Sequence, residues 1–409
     1  MLSSKAGAAK NEVRRGRRRS SCDNDKMAAG KACMRRGSIS RGLGMVLAVT
    51  AVMTGSTLAR AQSQSAQSQP ARDWQRQWDA AVAGAKAERE LVISAPSGRV
   101  WRDQLMEFQK AYPEVELKVT AAASREFWPR VLKEHEVGQY LWDIRVGGPD
   151  NLSYNMKARG ELAPVRELLI LPEVLDDDVW YGGVDGLFLD RDKRYYLGFA
   201  MYEQTIAHYN NKIITKPGGL SFQDLLDPQW ANKISMADPR GGAALTGTAV
   251  LYKLYGEDYV RKLVEQQKPV ITKEARQQVQ WLASGRYPIT FGVPTAASVE
   301  MAQRGASVSE FVNVGGVVSW VQGVGGIQLP KNPPHPNAVK VFVNWILTKD
   351  VQARLMQAVK LNSRRKDVPI GDPSIALDPA KIAEYVGSQT EEMQDYQNKA
   401  ADLFRSLIQ

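Results

Sequence analysis

Cysteine is nearly absent from the 409 residues: there are two, Cys22 and Cys33, and both precede the apolar stretch 42–59. The chain beyond that stretch therefore has no disulfide, no thiolate nucleophile and no cysteine metal site. A lipid-bearing cysteine after the apolar stretch is excluded for the same reason. Histidine is also scarce. The three, His135, His208 and His335, do not cluster, and each reads as structural. No G-x-S-x-G, H-E-x-x-H or phosphate-loop pattern occurs. Beyond the leader, an excess of charge is lacking as well. The formal net charge of +10 belongs to residues 1–61, which hold 13 Lys+Arg and 3 Asp+Glu, and the remainder holds 41 of each. A body without net charge has no global field for a nucleic-acid backbone, so no nucleic-acid partner is expected.

The leader has an order of its own. A basic region up to Arg41 precedes the uncharged apolar run Gly42–Ala59, and Ala59-Arg60-Ala61 is an A-x-A site before Gln62. This pattern is a secretory signal peptide over 1–61, cleaved to release a periplasmic chain. A retained anchor is the alternative, but the run is at the short end for crossing a bilayer. Arg35-Arg36 is a loose twin-arginine-like match. Residues 62–72 form a polar, low-complexity spacer.

The body is organised around Glu90–Thr120. Leu91-Val92-Ile93 suits a strand buried on both faces. Ser94–Gly98 is a small-residue loop, and Trp101, Leu105, Phe108 and Tyr112 then mark one helix face. Pro113 stops that helix at Tyr112, and Val115, Leu117 and Val119 alternate as a second strand. Strand, helix and strand make a βαβ unit, whose ligands sit beyond the strands' carboxyl ends.

Further along, helices are expected over 73–89, 125–138, 243–255, 274–285, 336 onward, 349–360 and 390–408. Strands are expected over 142–146, 232–237, 288–293 and 319–329, and 195–210 is extended. Pro129 fits only in the first turn of its helix. Gly147–Asn151 is a turn that caps the next helix, and Pro294-Thr295 starts another.

Six phrases in order resemble one family: AKAERELVISAPSG, FQKAYPEVELKV, GQYLWDIRVGG, NKISMADPRGGAALTGTAVLY, HPNAVKVFVNWILTKDVQARL and NSRRKDV. Together, over about 73–369, they are similar to the periplasmic solute-binding proteins of ABC importers, of the ferric-ion and small-anion type. The resemblance implies an α/β, two-lobed type II binding-protein fold with two crossover strands. Lobe one would comprise 73–200 and 320–409, the latter with the C-terminal helices, and lobe two 201–319. The crossings would lie near Tyr202–Tyr209 and Ser319–Gln322. It also implies capture of a small solute between the lobes, delivery to an inner-membrane ABC permease, and no chemistry on the solute. A monomer is expected. A periplasmic sensor or scaffold with the same fold, and a hydrolase or lyase, are the alternatives.

The ferric members hold iron with a His and a carboxylate from one lobe and a Tyr pair from the other. Here the loop after the first strand has no His, and the segment after Ile289–Val293 reads GVPTAASVEM with no Tyr. Tyr195-Tyr196 is a pair, but it precedes the crossover. No bare metal ion and no cofactor are therefore expected, although a chelated metal stays open as the solute. The candidate contacts are instead Ser94, Ser97, Gly98, Gly148, Gly241, Gly242, Thr246 and Thr295. They lie in loops or at helix starts, where free N–H groups favour an anion or polar solute. Arg240 is the candidate cation, since a guanidinium pairs bidentately with an oxyanion. Tyr202 and Trp320, at the inferred hinges, are candidates to stack on the solute.

Overall fold

The computed structural model describes residues 69–293, 311–316 and 318–408. The signal peptide, its cleavage site, most of the spacer, and Pro294-Thr295 lie outside them. All the described residues belong to one compact unit, and within it two large hydrophobic cores, two smaller clusters and three sheets form the two lobes and their junction.

The chain opens with α1 (Gln69–Glu88), which turns one apolar face to the first core through Trp78, Ala81, Val82 and Ala85. β1 (Glu90–Ala95), α2 (Arg99–Ala111) and β2 (Glu116–Ala121) are the expected βαβ unit. Its strands are parallel, with Leu91 opposite Leu117 and Ile93 opposite Val119. Phe108 of α2 is fully buried, its ring edge-on to Phe342 at 5.2 Å and Trp345 at 5.3 Å. These contacts join sequence-distant helices into one core.

α3 (Ser124–Glu136) contains Pro129 as its sixth residue, not in the first turn as expected. The missing N–H would have met the carbonyl of Arg125, a residue on the exposed side of the helix. β3 (Ile144–Val146) ends in the expected turn. Asp150 caps α4 (Asn151–Ala158) by accepting from Ser153 N at 3.0 Å. After β4 (Leu162–Ala163), short helical turns lead to β5 (Ala200–Gln204) and β6 (Ala207–Asn210).

The second core is built around β6, β7 (Ile234–Ala237), α5 (Gly242–Glu265), β8 (Val270–Thr272), α6 (Ala275–Ser284), β9 (Ile289–Phe291) and β10 (Phe311–Asn313). Helical dihedrals in α5 break at Gly256, φ 82°, directly after the expected end at Tyr255. A second helical stretch then continues to Glu265. β11 (Ser319–Val324) and β12 (Ile327–Pro330) lead back to the first core. There α7 (Pro336–Leu347) and α8 (Lys349–Val359) pack. β13 (Asn362–Ser363), β14 (Val386–Gly387) and α9 (Glu391–Leu407) close the chain.

The first sheet runs β2-β1-β3-β12-β4, with β1, β2 and β3 parallel and β12 antiparallel to β3 and β4. The second runs β10-β6-β9-β7-β8, with β9, β7 and β8 parallel. Between them lies β13-β5-β11-β14. In it the two expected crossovers pair antiparallel, Tyr202 opposite Val321 and Glu203 opposite Trp320. A third segment, 386–390, adds to them. It starts on β11 through β14 and carries the chain into α9, whose Met393, Ala400, Leu403 and Phe404 are buried in the second core. The sequence reading groups this helix with residues 320–409. Its packing partner is α5 of the second core, where the rings of Tyr252 and Tyr396 lie 6.2 Å apart.

Candidate functional site

Each lobe has a mouth at the carboxyl ends of its parallel strands. In the first lobe, Ser94 at the end of β1 is fully buried, and its hydroxyl accepts from Arg145 Nη1 at 3.0 Å. The same nitrogen donates to the carbonyl of Ala122, just past β2, at 3.1 Å. Burial pulls the Arg145 guanidinium pKa down, against the opposing pull of the Asp150 charge. Ser97 and Gly98 are exposed at the start of α2, where Gly98 is the cap residue at φ 121° and the helix has no side-chain cap among the described residues. Gly148 sits against Gln389 and the Gly323 carbonyl, where a Cβ would lie 2.8 Å from Gln389 Nε2. Gly148 thus meets the hinge, with no room for a side chain.

In the second lobe, an open depression of about 480 Å³ lies over Asp238, Arg240, Gly241, Gly242, Lys273 and Gln278. Gly241 and Gly242 start α5, and a Cβ on either would meet nothing within 4 Å. The space beside both Cα atoms is therefore empty of neighbouring side chains. Gln278 is fully buried. Its Nε2 donates to Thr290 Oγ1 at 2.6 Å and to the Phe291 carbonyl at 2.7 Å, and its Oε1 has no partner.

Two sequence candidates are engaged differently from expectation. Arg240 is exposed, but its fork is on Asp238: Nε donates to Oδ1 and Nη2 to Oδ2, both at 2.8 Å. That bond holds the Asp238 carboxyl down at about 2. The pair is a local turn two residues long, so the guanidinium reaches its own loop first. Trp320 is buried beside Met201 and Leu377, with the Arg364 guanidinium over its ring at 5.1 Å. It packs the hinge and does not present a free face to a solute. Tyr202 is half-buried in the same sheet, and burial pushes its phenol pKa up. Thr246 is half-buried, its hydroxyl donating to the Gly242 carbonyl at 3.1 Å. Thr295 lies outside the described residues.

The structural readings of the other polar residues have identifiable partners. His135 Nδ1 is 2.8 Å from Glu161 Oε2, and His335 Nδ1 is 2.8 Å from Asp143 Oδ2. Tyr196 is buried with its hydroxyl on the Ser153 carbonyl at 2.5 Å, and burial pushes its phenol pKa well up. Among the described residues, no group of three or more His, Cys, Asp or Glu side chains is arranged to hold a metal.

Arg145, Gln278 and Gln389 were not singled out in the sequence. The available signal was polarity out of place: Arg145 interrupts the buried strand Ile144–Val146, and Gln278 lies on the buried face of α6. Gln389 carried no such signal, because its neighbours only become neighbours through the hinge.

The sequence pattern of the bacterial extracellular solute-binding protein family matches residues 104–383. An uncharacterized protein of Haemophilus influenzae is 25% identical over 158 residues, which are 38% of this chain and 44% of that protein. The chain thus spans less than half the length of that curated relative. Apo ferric ion-binding protein A of Pasteurella haemolytica superposes with a TM-score of 0.59 at 13% identity, covering 78% of this chain and 98% of that one. The fructose-6-phosphate-bound periplasmic binding protein AfuA of Actinobacillus pleuropneumoniae gives 0.51 at 19% identity, covering 78% and 98%.

Proposed function

The chain belongs to the bacterial extracellular solute-binding proteins, and from that premise we propose that it is the periplasmic receptor of an ABC importer. It captures a small anionic or polar solute between its lobes and hands it to a membrane permease, acting as a monomer and without chemistry on the solute. The observation that carries this reading is the pairing of β5 with β11. The crossovers form one narrow sheet between two cores, each with strand ends opening at a mouth. Such an arrangement bends at the junction while each lobe stays rigid. A solute that touches both mouths favours the closed form by its differential affinity.

A nucleophilic-enzyme reading is weakened by Ser94, whose hydroxyl faces a guanidinium and not a base. Solutes named for proteins of this fold range from ferric ion to a sugar phosphate, so the fold alone does not choose the cargo.

The test is native mass spectrometry of protein secreted and purified without denaturant. A mature chain near Gln62 carrying one small solute per molecule is expected. A chain that retains residues 42–59, or that turns its carried solute into a product, overturns the reading.

A further inference from the structure

Among the described residues, two arginines of the first lobe are buried with no opposite charge bonded to them: Arg364, whose fork is taken by backbone carbonyls at the hinge, and Arg145, which stands at the strand ends. Arg145, 5% exposed, stands on β3 in register with Ser94 on β1 and Gln328 on β12. Residues opposite one another on neighbouring strands share a face, so the three form a polar row across the sheet. Arg145 Nη1 is bonded to two neutral oxygens, Ser94 Oγ at 3.0 Å and the Ala122 carbonyl at 3.1 Å. Arg145 Nε and Gln328 Oε1 are buried with no hydrogen-bond partner.

Among the described residues Arg145 forms no ion pair. The carboxylate acting on it is that of Asp150, whose Oδ1 is already bonded to Ser153 N and Oγ in capping α4. A guanidinium stripped of water and given neutral partners costs the empty protein stability. That cost is offset when an oxyanion arrives, because the buried charge then gains a charge-assisted bond in a medium of low dielectric.

The position is the mouth of lobe one. Ser94 is the second-last residue of β1, Ala122 follows β2, and Gly147 follows β3. The Phe127 ring backs the guanidinium, its centroid 5.2 Å from Cζ. At Gly147 a Cβ would lie 3.4 Å from Nη2, so glycine there puts no side chain against that side of the fork. In the second lobe, by contrast, Arg240 is already neutralised by Asp238.

We propose that Arg145 is the anion anchor of this receptor, and that the solute carries a carboxylate or phosphate which its fork takes in lobe one. The proposal rests on the receptor reading above and names the chemical class of the cargo.

The test is calorimetric titration of the full chain, purified without denaturant, with inorganic phosphate, citrate, glucose 6-phosphate and neutral glucose. At least one anion is expected to bind and glucose is not. Arg145→Gln should weaken that anion about tenfold or more, while the melting temperature of the empty protein holds or rises. Should Arg145→Gln not fold, Arg145→Lys is titrated instead, and a loss of about tenfold is again expected, since an ammonium lacks the fork. Undiminished affinity in the folded variant, or binding of glucose with no anion, overturns the anchor and leaves the receptor standing. If none of the four binds, the solute carried by the wild type in native mass spectra decides. An acidic solute lost in the variant supports the anchor, an acidic solute retained in the variant or a neutral one overturns it, and no solute at all overturns the receptor reading as well.

Discussion

The guanidinium of Arg364 lies 5.1 Å above the ring centroid of Trp320. Its Nη2 donates to the carbonyls of Gly186 at 2.6 Å and Tyr181 at 3.3 Å, and its Nη1 to those of Gly198 and Gln322, both at 3.5 Å. One buried side chain thereby ties the 181–198 segment of lobe one to the crossover β11, and it explains why Trp320 is unavailable to a solute. Removing it with Arg364→Ala leaves buried carbonyls unsatisfied and a void under the indole. A loss of about 3–5 kcal/mol is expected from urea unfolding. An unchanged midpoint would mean that the hinge is held elsewhere.

Asp238 and Arg240 provide a second measurement. The carboxyl sits at about 2 because of the Arg240 hydrogen bonds, which outweigh the opposing effect of burial. In Arg240→Ala its titration, followed by carboxyl NMR, should move up toward the ordinary value of about 3.8. Loss of the pair also leaves a bare carboxylate beside the depression, so anion affinity should fall by a few-fold, less than in Arg145→Gln. A fall larger than that of Arg145→Gln would return the anchor to lobe two.

His208 makes stability depend on pH. Burial in β6 lowers its pKa from 6.5 to about 4. The unfolded chain therefore binds more protons than the native one in this window. The neutral ring's contribution is complete above pH 6.5 and is lost as pH falls toward 4. Because the ring is half-buried and not sealed, about 2 kcal/mol is at stake. Unfolding free energies of wild type and His208→Gln should converge across that interval, and parallel curves would place the titration elsewhere.

Iron is the fourth measurement. Tyr196 is committed to the Ser153 carbonyl and to the Tyr154 ring 4.7 Å away. The Tyr195 ring lies near Lys157 and Arg194, at 5.8 and 5.7 Å from their charged groups. Both cations are held in turn by carboxylates, Lys157 by Asp192 and Glu391 and Arg194 by Glu167, so these carboxylates are already engaged and are not arranged around a metal. The purified protein should give no tyrosinate absorption band, and elemental analysis should find less than one iron per chain. A band abolished by Tyr195→Phe would show that this pair binds the metal.

Much of the architecture was legible because it is local. Apolar alternation and helical spacing marked β1, α2 and β2, Pro336 marked the start of α7, and the turn 147–151 marked the cap of α4. Those signals work because a strand or helix face is decided by residues two to four apart. Small residues at strand ends likewise marked the mouths, since a parallel strand always delivers its carboxyl end to one side of the sheet.

The tertiary structure decided the rest. Arg240 looked free in the sequence, but its side chain is long enough to fold back onto Asp238, and only coordinates show which partner it takes. Trp320 looked like a stacking residue until Arg364, 44 positions later in the chain, was placed over it. Arg145 looked like one charge inside a strand. Its burial and its neutral partners Ser94 and Ala122 come from three segments that meet only when the sheet forms. Sequence by itself determined the family and most of the elements, because these follow from local pattern. Which charge is left uncompensated at a mouth depends on long-range contacts, and those no local pattern encodes.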